Sequence, residues 1–313
     1  MEKIDSSYPA FPARPALPAD PTRPASRMKR RAISDYIALT KPRLNLLVVA
    51  TSAAGYYLGA PGPINLPVMA AAVVGTAFVA GGAAALNQLY ERNTDALMRR
   101  TRMRPLPDGR IAPSDARLFG LLLSAAGLVL LASMAGWLAA LLALGTLTIY
   151  LFVYTPLKRR SPAATLVGAV PGALPPLIGW AASRGDVAPG GIALFLIVFL
   201  WQIPHFMAIA WMYRDDYRLA GFPMLPVIES DGRRTGRQAV IYAAALLPAS
   251  LLPAFAAVSG PIYAAVAGIL SVALLVLAIK FASARTEAAA RRLFFGSITY
   301  LPILWIAMIA DRL

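Results

Sequence analysis

Three side chains with oxygen ligands, Asn87, Glu91 and Asp95, recur at four-residue intervals in LNQLYERNTDALMRRTRMRPLP. On a helix each such step drifts only ~40°, so all three share one face. Oxygen ligands of this kind suit magnesium, which takes one or two carboxylates and leaves its other positions to phosphate and water. A second acidic cluster, Asp215 and Asp216 followed by Tyr217, lies in WMYRDDYRLAGFPMLP. Each cluster follows an apolar run directed from the outer to the inner side, so each sits at a helix C-terminus, the end that favours cations. Facing one another, the two clusters would hold two magnesium ions through Asn87, Glu91, Asp95 and Asp216, with Asp215 alongside, and the ions would clamp a diphosphate between them. Bases stand close in sequence: Arg99, Arg100, Arg102 and Arg104 after the first cluster, and Lys158, Arg159 and Arg160 in YTPLKRRSP. Arg grips phosphate oxygens bidentately and Lys acts as a point charge. Acids for metal and bases for phosphate at one membrane depth point to an amphiphilic diphosphate with its tail among the helices. Singly, each residue has a blander reading. An interfacial Arg or Lys anchors a span, and an Asp at a span end is solvated. The chain has no Cys and one His, so thiol chemistry, disulfides and clusters of His ligands are excluded.

The elements that must position these groups are membrane helices. Of 313 residues, 58% are hydrophobic and 14% charged, too apolar for an ordinary soluble domain. A bilayer core needs roughly 20 apolar residues of helix. Nine such runs lie at about 44–60, 67–90, 117–136, 138–157, 163–182, 192–213, 238–258, 261–280 and 293–310. The expected fold is all-α, a polytopic bundle of nine transmembrane helices. With a cytoplasmic N-terminus, 28 of the 30 Lys and Arg fall on the inner side, leaving Arg184 and Arg312 outside. The net charge of +15 then reads as a topology signal, and no nucleic-acid partner is expected. Residues 1–32 are Pro- and Ala-rich without periodicity and read as a disordered cytoplasmic tail; residues 33–313 form the transmembrane domain.

Further residues stand out at membrane depth. His205, in WQIPHF on the sixth run, reads either as a helix–helix hydrogen-bonding group or as a haem ligand. Arg43 and Asn45 open the first run, at a cavity entrance or as ordinary anchors. Pro171, Pro175 and Pro176 are expected to interrupt the fifth run, and Gly168 and Gly172 to allow close helix approach.

These strings resemble the UbiA family of intramembrane prenyltransferases. The Asn87, Glu91, Asp95 spacing, RTRMRPLP, YTPLKRRSP, GALPPLIGW, WQIPHF and GFPMLP carry the likeness, in order, over about residues 34–313. The likeness is strongest to the branch that acts on haem. It implies a nine-helix bundle around a cavity open to the membrane, with magnesium as cofactor. It implies transfer of a farnesyl group from farnesyl diphosphate to a vinyl carbon of haem B, water completing the product haem O. Asn87, Glu91, Asp95, Asp215 and Asp216 would be the catalytic acids and amide. Arg43, Arg102, Arg104, Lys158 and Arg159 would bind the diphosphate, and His205 the haem. A bacterial inner membrane, with site loops on the cytoplasmic side, and haem A synthase as a downstream partner complete that expectation. Competing readings are a family member with an aromatic, quinone-precursor or chlorophyll-precursor acceptor, an ion-coupled transporter, and an oxidase-assembly scaffold.

Overall fold

The computed structural model describes residues 33–313; the tail expected over 1–32 lies outside them. Among the described residues there is no strand, only one antiparallel bridge between Ser259 and Arg312. The long helices are α1 (Pro42–Gly59), α2 (Leu66–Asp95), α3 (Pro113–Ala135), α4 (Trp137–Leu157), α5 (Ala164–Arg184), α6 (Pro189–Met212), α7 (Arg233–Phe255), α8 (Pro261–Ala284) and α9 (Glu287–Ala310). Short helices 33–39, Arg214–Leu219 and Leu225–Ile228 occupy the connections at the end carrying the acidic clusters.

Eight of these, α2 to α9, are long and apolar enough to cross a bilayer. The run expected over 44–60 does form a helix. Polar residues at Arg43, Asn45, Thr51 and Ser52 fall within the eighteen residues of α1 and keep it out of that group. Thr51 and Ser52 are buried within the bundle, where a hydroxyl finds protein partners: Thr51 bonds back to the Leu47 carbonyl and Ser52 meets Thr76 of α2.

Helix starts follow local rules. Pro stands in the first turn of α1, α2, α3, α6 and α8, where its missing N–H costs no hydrogen bond. Asn65 and Thr286 cap α2 and α9 through side-chain oxygens. At the opposite end of α9, Asp311 reaches the N-terminus of α8, accepting from the Tyr263 N–H at 2.7 Å. Arg312 stacks over Tyr57 and donates to the Ala60 carbonyl, tying the chain end to α1.

The helices pack through small residues. A Cβ on Gly55 would collide with the Pro176 carbonyl, and one on Gly179 with the Ser52 carbonyl, so α1 and α5 are in backbone contact. Gly82 and Gly127 do the same for α2 against α3. The expected pair serves differently. Gly168 makes room for the Tyr154 ring and Gly172 for the Gln202 amide, so both accommodate side chains. The expected break at Pro171, Pro175 and Pro176 is also absent, because α5 runs unbroken through all three. It is the most enclosed of the spans, and its backbone is braced from α6, where Gln202 Nε2 donates to the Ala169 carbonyl at 3.2 Å.

Candidate active site

Asn87, Glu91 and Asp95 lie on one face of the last turns of α2, and that face is turned into the protein. Their exposures are 2%, 4% and 0%. Buried carboxylates are tolerated only when paired or when they hold a cation. Glu91 takes both forks of its carboxylate to Lys158 Nζ, at 3.0 and 3.1 Å. Asp95 accepts from Arg104 Nη1 at 2.6 Å through Oδ2. Its other oxygen, Oδ1, is buried and has no hydrogen-bond partner among the described residues. Asn87 Oδ1 accepts from Lys41 Nζ at 3.2 Å and from the Tyr150 hydroxyl at 3.3 Å, while Nδ2 donates to Thr155 Oγ1 at 3.1 Å.

Each basic group is delivered by a local backbone feature. Lys41 sits between helix 33–39 and α1 in the left-handed region, φ 51°. That conformation is uncommon for a non-Gly residue and is disfavoured before a proline such as Pro42. Gln88 of α2 holds it, donating through Nε2 to the Leu39 carbonyl at 2.7 Å. Burial, and the nearby Arg104 guanidinium, draw the Lys41 ammonium down to about 8. The end of α4 is a π-turn, Ile149–Tyr154, of the kind often found at functional sites. It is locked by Thr155, whose hydroxyl donates to the Tyr150 carbonyl at 2.8 Å. Tyr150 and Tyr154 stack at 5.3 Å, and Lys158 comes one turn later. Burial opposes the charge on Lys158, but Tyr154 and the Glu91 carboxylate outweigh it and hold the ammonium above lysine's ordinary range. The loop after α2 folds back through Thr101, whose hydroxyl donates to the Asp95 carbonyl, and so brings Arg104 to Asp95. Arg110 fastens the same loop to Asp35 of helix 33–39.

The segment with the second acidic cluster packs beside the first. Tyr217 and Phe222 form a small apolar cluster with Met98, and Lys158 lies over the Phe222 ring at 4.5 Å. Arg100 lies over Tyr213 at 5.6 Å. Asp216 is half-buried, and its carboxylate has no hydrogen bond among the described residues. Asp215 faces solvent and pairs with Arg218 at 2.7 Å. Among the described residues no three carboxylate or imidazole groups converge, so Asp216 does not join Glu91 and Asp95 in one cage. Magnesium does not require one, since it keeps waters and shares phosphate oxygens.

Of the five bases expected on the diphosphate, Arg104 and Lys158 enter the site. Arg43, Arg102 and Arg159 are exposed. Sequence reasoning passed over Lys41, Tyr150 and Thr155. The only signal for Lys41 was its place before Pro42, which also describes an ordinary interfacial anchor. Asn45 turns to α2, where Nδ2 donates to the Ala77 carbonyl at 3.0 Å. His205, on α6, bonds Ser297 of α9 through Nδ1 at 2.8 Å. The two aspartates make a direct comparison: Asp216→Asn should lower turnover at least about tenfold. Asp215→Asn should leave it within about twofold, because an exposed pair contributes little. Equal losses in steady-state assays would contradict that division.

An unpartnered buried oxygen on Asp95, beside Glu91 and the Asn87 amide and ringed by three bases, fits a hard cation shared with an anionic ligand. Comparison with known proteins agrees with this chemistry. The sequence profile of the UbiA prenyltransferase family matches residues 48–300. A protoheme IX farnesyltransferase of Solibacter usitatus is 45% identical over 287 residues, covering 89% of this chain and 98% of the relative. One of Opitutus terrae is 47% identical over 293 residues, covering 93% and 97%. Among solved structures, a digeranylgeranylglyceryl phosphate synthase shares the fold with a TM-score of 0.76 at 17% identity, covering 89% of this chain and 98% of that one. A UbiA homolog from Archaeoglobus fulgidus bound to GPP and Mg2+ matches with a TM-score of 0.62 at 19% identity, covering 88% and 99%. The chain belongs to the UbiA prenyltransferase family and is a multi-pass membrane prenyltransferase.

Proposed function

We propose that this protein transfers the farnesyl group of farnesyl diphosphate to a vinyl carbon of haem B, with water adding to the neighbouring carbon, to give haem O. The acceptor is supported by the relatives named above, which span nearly the whole chain at 45 and 47% identity. The observation that carries the chemistry is the buried face of Asn87, Glu91 and Asp95, with Asp95 Oδ1 unpartnered among bases.

In this reading Asn87, Glu91, Asp95 and Asp216 hold magnesium, and Lys41, Arg104 and Lys158 hold the diphosphate. When bound, magnesium neutralises diphosphate oxygens, which makes diphosphate a better leaving group. Lys41, Arg104 and Lys158 stabilise the negative charge that grows on the departing diphosphate as the allylic C–O bond breaks. The bases are already fixed by Asn87, Asp95 and Glu91, so little reorganisation accompanies that step. Tyr150 and Tyr154, stacked at the edge of the site, exclude water where the allylic cation forms. The vinyl π electrons form the new C–C bond, so the protein needs no nucleophile of its own. Water supplies the hydroxyl, and one proton is released.

The location proposed is a bacterial inner membrane, with α1 as the ninth span and the site loops on the cytoplasmic side. The 28 inner bases support it. Haem A synthase is proposed as the recipient of the product. The test is purified protein with farnesyl diphosphate, haem B and magnesium. Haem gaining one farnesyl group and one water is expected, with loss of turnover on chelation and recovery on adding magnesium. Turnover with an aromatic acid and none with haem B would overturn the assignment.

A further inference from the structure

His205 is the only histidine in the chain, and two aromatic rings and a hydroxyl hold it in place. Trp201 stacks on its ring at 5.1 Å and 19°, and Phe294 of α9 at 5.0 Å and 23°. With aromatic rings stacked at these two places the ring plane is held, and the nitrogens at its edge are left uncovered by the stacking. Nδ1 lies 2.8 Å from Ser297 Oγ. That hydroxyl also lies 2.7 Å from the Phe294 carbonyl. A carbonyl only accepts, so the single serine proton belongs to that bond. Ser297 Oγ can then only accept from the imidazole, and Nδ1 must carry the hydrogen. A neutral imidazole has one N–H, so Nε2 keeps its lone pair. Among the described residues Nε2 has no hydrogen-bond partner, and the residue is only half-buried. Ser297 is itself anchored, because Trp201 Nε1 donates to its carbonyl at 2.7 Å.

We infer that Ser297 fixes His205 as the Nδ1–H tautomer so that Nε2 ligates the iron of the haem substrate. The inference rests on the haem-farnesylating reading and assigns Ser297 as a positioning residue within it. Depth agrees. His205 stands seven residues before the end of α6, about 10 Å, and Asn87 eight before the end of α2, about 12 Å. Both helices end at the side bearing the acidic clusters. An iron at that depth keeps the apolar macrocycle among the helices, near the level of Asn87 and about 10 Å deeper than Asp95. The carbonyl–hydroxyl–imidazole chain also parallels the outer-shell bonds that orient metal-bound histidines elsewhere.

A lone histidine makes the test direct. With 15N-histidine in the full chain in lipid nanodiscs, one imidazole is observed. The expected spectrum has the proton on Nδ1 and a bare Nε2, whose resonance is lost on adding ferric haem B. Haem bound to the native protein should show a histidine-ligated optical spectrum. His205→Ala should abolish that spectrum. Ser297→Ala should weaken haem binding about tenfold and mix the tautomers, while Ser297→Thr retains one. A proton on Nε2 in the native protein, or an unaltered haem spectrum in His205→Ala, would overturn the inference. If His205→Ala keeps the spectrum while the native protein still farnesylates haem B, only the ligation falls. If the native protein neither binds nor farnesylates haem B, the functional reading falls with it.

Discussion

Asp95→Asn should lower turnover of farnesyl diphosphate about 100- to 1000-fold while leaving the protein inserted and folded. The residue is fully buried, one oxygen is held by Arg104, and the other has no partner among the described residues. An amide of the same shape keeps the packing and removes the charge that a cation needs. Arg104 would lose its counter-charge, but its side chain is 23% exposed and can be solvated, so the structural cost stays small. The deficit belongs to charge that develops as the diphosphate departs, so kcat and kcat/KM should fall together. Glu91→Gln should behave alike, with an added loss because Lys158 is left without its carboxylate. Steady-state assays of haem farnesylation, with circular dichroism as the folding control, check both. Turnover within about threefold of the native protein in both variants would remove the metal role from this face of α2.

The second large effect is expected at Lys158. Its ammonium is the partner of Glu91, and both side chains are largely enclosed, at 15% and 4% exposure. Lys158→Met would strand a buried carboxylate. Breaking one side of such a pair costs about 3–5 kcal/mol. Thermal unfolding in detergent should shift downward by about 6 °C or more. The same lysine lies over Phe222 and Tyr154, so its loss also loosens the docking of the second acidic segment. Turnover should fall for a separate reason, because a cation proposed to hold the diphosphate is gone. The double variant Glu91→Gln, Lys158→Met separates the two causes. It should regain most of the lost stability, since no charge is stranded, and none of the lost turnover. An unchanged unfolding temperature in Lys158→Met would show that the ion pair contributes nothing to the fold.

Asn87, Glu91 and Asp95 are legible in the sequence alone, because i, i+4 spacing on a helix is a local rule and their common face does not depend on what packs against it. The long apolar helices are equally legible, since hydrocarbon imposes length and closed backbone hydrogen bonding on each segment separately. Tertiary structure decided which charges meet. Lys41 enters the site only because the chain before α1 adopts a left-handed turn held by Gln88. Lys158 enters, and its neighbour Arg159 does not, because the π-turn in α4 sets the rotation of the residues beyond it. Arg104 reaches Asp95 through a loop that doubles back on Thr101, whereas Arg102 two residues earlier remains outside. Asp215 and Asp216 are adjacent in sequence, and a short helix turns one to solvent and leaves the other half-buried. The same division explains Pro171, Pro175 and Pro176. Helix propensity alone forecast a break, but enclosure by neighbouring helices keeps α5 continuous. Composition and periodicity act over one or two turns of chain, so they set what each segment becomes. Direction at a loop, and the pairing of charges across helices, depend on contacts between residues far apart in sequence, and those exist only once the bundle has formed.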